Sequence, residues 1–192
     1  YVQSRVRTCG LDGTAKAEAP LPEPGSVVPL SARNDCDEIY LRFSSYLRPA
    51  TVFRYDLRSA ALEPFHAPQS QFDSSRYETR ALFYQSRDGT KIPIFVTLRK
   101  GAALDASHPT VLYGYGGFNV SEIPWFSPAV AGWLDLGGVY AVANIRGGGE
   151  YGKEWHEAGR RERKQNVFDD FIAAANFLVR EKFTTPSRLA IE

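Results

Sequence analysis

Two tyrosines alternate with glycines in the segment Thr110–Val120, which reads TVLYGYGGFNV. A tyrosine hydroxyl stays protonated at neutral pH, so it can donate a hydrogen bond to the oxyanion that develops on a carbonyl under attack. Glycines let the backbone approach a reacting carbonyl and adopt positive φ angles. The pattern also fits an ordinary loop that closes a buried strand, with the tyrosines packed over it. The loop alone leaves both interpretations open.

The other residues that could act as nucleophile or base lack the spacing that such a role needs. Ser187 follows a proline outside any G-x-S-x-G context, which predicts a turn residue. His156 lies between two glutamates; a general base is conceivable there, but a surface or packing role is favoured. His66 and His108 lie beside prolines in loop-like sequence, and neither has a partner at a useful spacing.

The sequence predicts no metal and no organic cofactor. His108, Glu122 and Asp135 do not form a metal-ligand pattern. The run RGGGEYG lacks the Lys-Ser/Thr of a phosphate-binding P-loop and the G-x-G-x-x-G of a dinucleotide turn. We therefore expect Arg146 to fix the loop that follows it by hydrogen bonds, and the basic run 160–164 to form a solvated turn.

Composition indicates a soluble globular protein. The 192 residues are 43% hydrophobic and 23% charged, with a net charge of +1, which gives no case for nucleic acid or membrane as partners. Cys9 and Cys36 are expected to be reduced thiols. The chain begins at Tyr1 and contains no Met, so we expect an internal segment of a longer polypeptide. The compartment stays open between cytoplasm and periplasm.

The sequence of residues 1–69 is typical of β-strands and loops. The runs EIYLRFSSY and TVFRYDL are rich in β-branched and aromatic residues and predict two antiparallel strands. A lone pair of strands is marginal in water, so the pair should belong to a larger sheet. The run AKAEAPLPEPGS predicts an exposed connection.

From about residue 70 the pattern changes to alternating strands and helical or long connections. Asp88-Gly89 between two apolar runs predicts a hairpin, and TVLY, VYAVANI and RLAI predict three short strands. Residues 166–182 predict a helix that is capped by Asn166 and has Asp169 and Asp170 in its first turn. We expect its buried stripe to consist of Val167, Phe168, Phe171, Ile172, Ala175, Leu178 and Val179.

This order of elements predicts an α/β fold with a mostly parallel sheet. In an α/β-hydrolase, the loop after the third strand supplies part of the oxyanion hole, and YGYGGFN occupies that position. The oxyanion and packing interpretations then become about equally strong. In this fold TVLY and RLAI should be parallel neighbours, so that Tyr115 and Glu192 leave the sheet at the same edge.

Four motifs, YGYGGFN, ANIRGGGEYG, KQNVFDDF and RLAIE, together resemble the prolyl oligopeptidase family of serine peptidases. The resemblance covers most of residues 69 to 192, and residues 1–69 resemble the end of that family's propeller more weakly. It implies the N-terminal half of an α/β-hydrolase domain in residues 70–192, preceded by the C-terminal part of a β-propeller domain in residues 1–69.

The resemblance also implies an activity, which is hydrolysis of short peptides on the carboxyl side of proline through an acyl-enzyme. Tyr115 matches the tyrosine of the family's oxyanion hole, and Phe118 and Tyr151 match aromatic residues at its proline pocket. The family's nucleophile follows the strand that RLAI matches, so the serine, aspartate and histidine of the triad should lie beyond Glu192. The partners implied are short proline-containing peptides and the remainder of the same polypeptide, and this segment alone should be inactive.

Two alternatives stay open. The parent protein could be an oligopeptidase of the same clan with a different specificity, or the segment could be a catalytically inactive structural or binding piece. The residues that follow Glu192 in the reading frame would separate these possibilities.

Overall fold

The computed structural model describes residues 2–192, and it describes every side chain among them except those of Pro29 and Leu30. The chain divides into two compact units. One consists of residues 3–73 with the short segment 123–127, and the other consists of residues 74–122 and 128–192 together with Val2.

The first unit is built from antiparallel strands. They are β1 (Arg7–Cys9), β2 (Ala15–Glu18), β3 (Ser26–Ala32), β4 (Glu38–Ser44), β5 (Thr51–Asp56) and β6 (Leu62–His66). Strands β3, β4, β5 and β6 form one sheet in that order, and β1 pairs with β2. The predicted strand pair is confirmed as β4 and β5, and it lies at the centre of the larger sheet.

Alternation along β4 and β5 builds the core of this unit. Leu41, Phe43, Phe53 and Tyr55 are buried, and the rings of Phe43 and Phe53 meet edge to face with centroids 6.1 Å apart. This is the period-2 pattern of a sheet with one covered face.

The predicted connection AKAEAPLPEPGS is partly wrong, because its first residues form β2 and its last residue begins β3. Strand β2 is mostly exposed, so it carries no apolar alternation that sequence analysis could detect. Backbone pairing with β1 and ion pairs from Arg5 and Arg7 to Glu18 hold it instead.

The second unit contains a five-stranded mixed sheet with three helices. The strands are β7 (Tyr77–Gln85), β8 (Lys91–Arg99), β9 (Thr110–Tyr113), β10 (Val139–Ala143) and β11 (Leu189–Ile191), and the helices are α1 (Pro128–Asp135), α2 (Lys153–Glu157) and α3 (Gln165–Arg180). The spatial order is β11-β9-β10-β8-β7. Strands β7 and β8 form the predicted hairpin, β8 and β10 are antiparallel, and β10, β9 and β11 are mutually parallel.

The predicted pairing of TVLY with RLAI is confirmed. Leu189 lies opposite Thr110 in a parallel ladder, although strand β10 and three helices separate β9 from β11 in sequence. The ladder extends beyond both strands, because Glu192 donates its N–H to the carbonyl oxygen of Leu112 and Gly114 donates to that of Glu192. Tyr115 and Glu192 therefore leave the sheet at the same edge.

Helix α3 packs on the sheet through a face that differs in part from the predicted stripe, of which Val167 and Leu178 are buried as expected. Phe168 and Ile172 were expected inside but are 54% and 57% exposed, whereas Ala174 and Phe177 are buried. The helix is rotated because Asp170 is fully buried on the sheet side. Its buried apolar residues belong to one core cluster with residues of the sheet that include Ile94, Val96, Leu98, Leu112, Ala141 and Ala143.

The predicted cap of α3 is also wrong. The helix begins one residue earlier, at Gln165, and Lys164 occupies the N-cap position without a side-chain capping bond. The Asn166 side chain instead donates from Nδ2 to the carbonyl oxygen of Ala158, 2.8 Å away. Asn166 thus ties the helix to the segment before it.

Candidate active site

Two glycine-rich loops lie side by side at the carboxyl edge of the parallel strands. The first, residues 114–122, follows β9, and the second, residues 144–152, follows β10, which is the neighbouring strand. Asn119 donates its N–H to the carbonyl oxygen of Gly147 (3.2 Å), and Gly149 donates to that of Val120 (3.2 Å). The two loops therefore form one surface at the edge where α/β sheets bind ligands.

Glycine is required where the loops touch. Gly116 has a φ angle of +60°, and a Cβ atom there would lie 2.6 Å from Cγ1 of Val167 and 2.9 Å from the carbonyl oxygen of Arg146. Gly147 has a φ angle of +94°, and its Cβ would lie 2.4 Å from the carbonyl oxygen of Gly116. Two of these three contacts are with backbone carbonyl oxygens of the neighbouring loop, so a side chain could enter only if the loops separated.

Tyr115 and Phe118 project from the first loop. Their rings stack with centroids 6.5 Å apart, and the side chains are 44% and 86% exposed. Phe118 has a left-handed backbone, with φ at 51°, which is uncommon for a bulky residue. Within the described part of the chain, no residue accepts or donates a hydrogen bond at the Tyr115 hydroxyl, which leaves that group able to serve a ligand.

Tyr113 is in a different environment from Tyr115. It is half-buried at the end of β9, and its hydroxyl is hydrogen-bonded to Glu122. Burial and the nearby charge of Glu122 raise the pKa of Tyr113. The two tyrosines differ because Tyr113 is the last residue of β9, whereas Tyr115 lies in the loop that follows the strand.

Tyr151 lies in the second loop. Its ring meets that of Trp155 edge to face with centroids 5.0 Å apart, and Trp155 donates from Nε1 to the carbonyl oxygen of Ile145. About half of the Tyr151 side chain is exposed. Its assignment to a proline pocket stays a prediction.

A pair of partly buried carboxylates joins the two loops, and sequence analysis missed it. Oε1 of Glu150 accepts the backbone N–H of Glu122 (3.0 Å) and lies 3.4 Å from Nδ2 of Asn144. The same Nδ2 atom donates to the carbonyl oxygen of Glu122 over 2.7 Å. Burial raises the pKa of both glutamates, and for Glu122 the charge of Glu150 adds to the effect. The only feature of the sequence that could have indicated this pair is the position of Glu150 directly after three glycines.

We expect Glu150→Gln to stabilise the protein at about pH 8 and to leave its stability unchanged at about pH 4. Because the pKa of Glu150 is raised on folding, its contribution to stability is present below its unfolded pKa and lost as pH rises through the folded pKa. Glutamine keeps the Oε1 acceptor and cannot ionise. Urea unfolding at both pH values measures the difference, with the exposed Glu154→Gln as the control.

A gain from Glu150→Gln that is equal at both pH values would show that ionisation of this carboxyl is not the cause. A loss at both would show that the second carboxylate oxygen makes a contact that glutamine cannot replace.

An ion-pair network lies beneath the second loop, around Arg146. Asp170 accepts from Nε of Arg146 (2.9 Å) and from its Nη2 (2.6 Å), and both side chains are buried. Nη1 of Arg146 donates to Asp88 (2.6 Å) in the turn between β7 and β8. Ser86 donates to Oδ1 of Asp170 over 2.5 Å. The hydrogen bond from Arg146 lowers the pKa of Asp88 to about 2. The network joins the hairpin turn, the base of the second loop and α3.

The prediction that Arg146 fixes the following loop is confirmed, and the structure shows that Asp170 takes part in this. The backbone N–H of Arg146 also donates to Oδ2 of Asp170, over 3.0 Å, so the aspartate holds the main chain where the loop begins. Sequence analysis assigned Asp170 to the first turn of a helix and did not connect it with Arg146.

The basic run 160–164 is not entirely a solvated turn. Residues Arg161–Arg163 form an exposed 3-10 turn, but Lys164 donates from Nζ to the carbonyl oxygen of Gly116 over 2.9 Å. Together with Phe118 and His156, residues of this run line a cleft of about 510 Å³ beside the first loop.

The remaining candidates take structural positions. His156 Nδ1 lies 2.7 Å from the carbonyl oxygen of Gly147 and 3.1 Å from the backbone nitrogen of Asn119, so the ring packs between the two loops. Ser187 lies in the 3-10 turn Pro186–Arg188, as expected of a turn residue. Among residues 2–192, no three His, Cys, Asp or Glu side chains are grouped to hold a metal ion, and no helix is long and apolar enough to cross a membrane.

Comparison with protein families gives two separate matches. Residues 1–68 match the model described as prolyl oligopeptidase, N-terminal beta-propeller domain. Residues 124–192 match the model of the prolyl oligopeptidase family. One match lies in each of the two regions that the sequence distinguishes, and residues 69–123 lie between the two matches.

Individual relatives agree with these matches. The chain is 40% identical to a prolyl endopeptidase of Elizabethkingia miricola, in an alignment that covers 98% of this chain and 27% of that protein. It is also 40% identical to a prolyl endopeptidase of Dictyostelium discoideum, in an alignment that covers 100% of this chain and 26% of that protein. A solved structure of prolyl oligopeptidase B from Galerina marginata, bound to a 35mer hydrolysis and macrocyclization substrate, superposes with a TM-score of 0.90 at 36% identity, over 99% of this chain and 27% of that one. The chain thus spans about a quarter of the length of these relatives.

Proposed function

The chain belongs to the prolyl oligopeptidase family, and we propose that it is part of a serine endopeptidase that cleaves short peptides on the carboxyl side of proline. Residues 1–69 are the C-terminal part of the propeller domain, and residues 70–192 are the N-terminal half of the α/β-hydrolase domain. The chain contributes half of the oxyanion hole and part of the substrate pocket, and the triad lies in sequence beyond Glu192.

The observation that carries this proposal is the parallel pairing of β9 with β11. It brings Tyr115 and Glu192 to one edge of the sheet, which supports a nucleophile in the sequence after Glu192. In an α/β-hydrolase, the nucleophile follows a strand at this edge and the oxyanion donors come from a neighbouring loop. The free hydroxyl and the exposure of Tyr115 suit a donor to a substrate oxygen.

In the reaction, the serine hydroxyl loses its proton to the histidine and attacks the carbonyl carbon of the proline residue. The carbonyl oxygen becomes an oxyanion, which accepts a hydrogen bond from Tyr115. The peptide amine leaves with the proton from histidine, and water then hydrolyses the acyl-enzyme. Phe118 and Tyr151 offer apolar ring surfaces that suit the proline ring.

The test is an assay of the full-length protein and of this 192-residue chain on a Gly-Pro chromogenic peptide and its Gly-Ala analogue. We expect turnover by the full-length protein with a strong preference for proline, and no turnover by the chain alone. A fluorophosphonate probe should label one serine of the full-length protein, located shortly after Glu192, and should leave the chain unlabelled.

Turnover or labelling of the 192-residue chain by itself would contradict the placement of the nucleophile. Turnover of the full-length protein without a preference for proline would favour the same clan with another specificity. A full-length protein that neither turns over nor reacts would indicate an inactive member of the family.

A further inference from the structure

Helix α3 reaches the first glycine loop at two points. Lys164, which precedes the helix, donates from Nζ to the carbonyl oxygen of Gly116. Asp170 accepts the backbone N–H of Arg146, whose own carbonyl oxygen lies against Gly116. Gly116 directly follows Tyr115, so Lys164 holds the residue next to the proposed oxyanion donor, and Asp170 holds the residue of the second loop against which Gly116 packs.

We propose that α3 positions Tyr115 for catalysis, with Lys164 and Asp170 as positioning residues. The inference rests on the proposed function of Tyr115. Neither positioning residue touches the substrate. Each holds the backbone beside Tyr115 in place before the substrate binds, so that the hydroxyl need not reorganise as the oxyanion forms. Misplacement of a catalytic group by about 1 Å can lower the rate on the order of a hundredfold.

The charge at the start of α3 supports a role for Lys164 beyond the helix itself. A helix N-terminus carries partial positive charge and favours acidic residues, yet the first turn of α3 has none and the preceding residue is Lys164. A residue that opposes its local environment in this way commonly serves another contact. The hydrogen bond to Gly116 is that contact.

The burial of Asp170 supports the second contact. Its Oδ2 atom accepts from both the backbone N–H and Nε of Arg146, at 3.0 and 2.9 Å, and therefore fixes main chain and side chain together. A buried ion pair is often no more stabilising than apolar residues of similar volume. Unlike apolar packing, the hydrogen bonds of this ion pair are directional. They fix the position at which the second loop starts, and hence the position at which Gly147 meets Gly116.

The test compares Lys164→Gln and Asp170→Asn in the full-length protein. For each we measure kcat and KM on the Gly-Pro substrate, and hydrogen–deuterium exchange of peptides that cover residues 114–120. We expect kcat to fall about tenfold or more with KM within about twofold. We also expect faster exchange in the loop, because Asn119 and Val120 donate hydrogen bonds that depend on its position. Lys164→Arg, which keeps a cationic donor, should recover most of kcat.

Two matched controls separate this effect from loss of charge or of fold. Arg163→Gln removes the neighbouring cation, which is exposed, and Asp169→Asn makes the same change one residue before Asp170, where the carboxylate bonds only Gln165 in the described structure. Both should match the unchanged protein in kcat and in exchange. Lys164 is near the surface, so its variant should fold even if Asp170→Asn does not.

Unchanged exchange of residues 114–120 in Lys164→Gln would overturn the inference, whatever the rates. If Tyr115→Phe lowers kcat and Lys164→Gln does not, the proposed function stands and the positioning role fails. If the unchanged full-length protein has no turnover at all, the proposed function fails, and the exchange measurement alone decides whether α3 holds the loop.

Discussion

Replacing Tyr115 with phenylalanine in the full-length protein should lower kcat by about a hundredfold to a thousandfold, with a much smaller change in KM. The ring stays in place against Phe118, and only the hydroxyl is lost. Because the oxyanion exists in the transition state and not in the bound substrate, removal of its donor reduces kcat rather than binding. Steady-state kinetics on a Gly-Pro chromogenic peptide measure both constants.

Tyr113→Phe is the matched control, since it deletes the same atom two residues away. The Tyr113 hydroxyl bonds Glu122 and is half-buried, so its loss should affect stability slightly and kcat by less than about threefold. If the two variants have equal kcat, the Tyr115 hydroxyl has no special part in catalysis, and the first loop only packs. If KM rises for Tyr115→Phe while kcat is unchanged, the hydroxyl binds the substrate in its ground state.

The sequence predicted the elements that depend on local chemistry and on strand order. Asp88-Gly89 identified the hairpin because its turn requires those residues, and the count of strands placed TVLY beside RLAI because the connections in α/β sheets follow few topologies. The same count brought Tyr115 to the correct edge of the sheet. These inferences needed no knowledge of side-chain packing.

The errors arose where a residue has a partner far along the chain. Asp170 looked like an ordinary acid in the first turn of a helix, but it pairs with Arg146, which lies 24 residues earlier. That pair rotates α3 and exposes Phe168 and Ile172. Lys164 looked like part of a solvated run until the structure placed its ammonium on Gly116. A single sequence shows the charges and does not show which of them meet.

The largest loss of stability should come from Arg146→Met. Methionine is apolar and of similar length, and it leaves the Asp170 carboxylate buried without a cation and without the two guanidinium donors. Removing one member of a buried ion pair costs about 3 to 5 kcal/mol. The free energy of unfolding in urea, measured on the 192-residue chain, should fall by this amount.

Two comparisons show whether the buried pair is the cause of this loss. Asp88→Asn removes the other carboxylate that bonds Arg146, but the Asp88 side chain is 48% exposed, so the loss should stay below about 1 kcal/mol. The double variant Arg146→Met with Asp170→Leu removes both buried charges and should recover part of the loss of Arg146→Met, because no unpaired carboxylate then remains. Two results would contradict this explanation. One is an Arg146→Met variant that is no less stable than Asp88→Asn. The other is a double variant whose loss of unfolding free energy exceeds the summed losses of its two single variants.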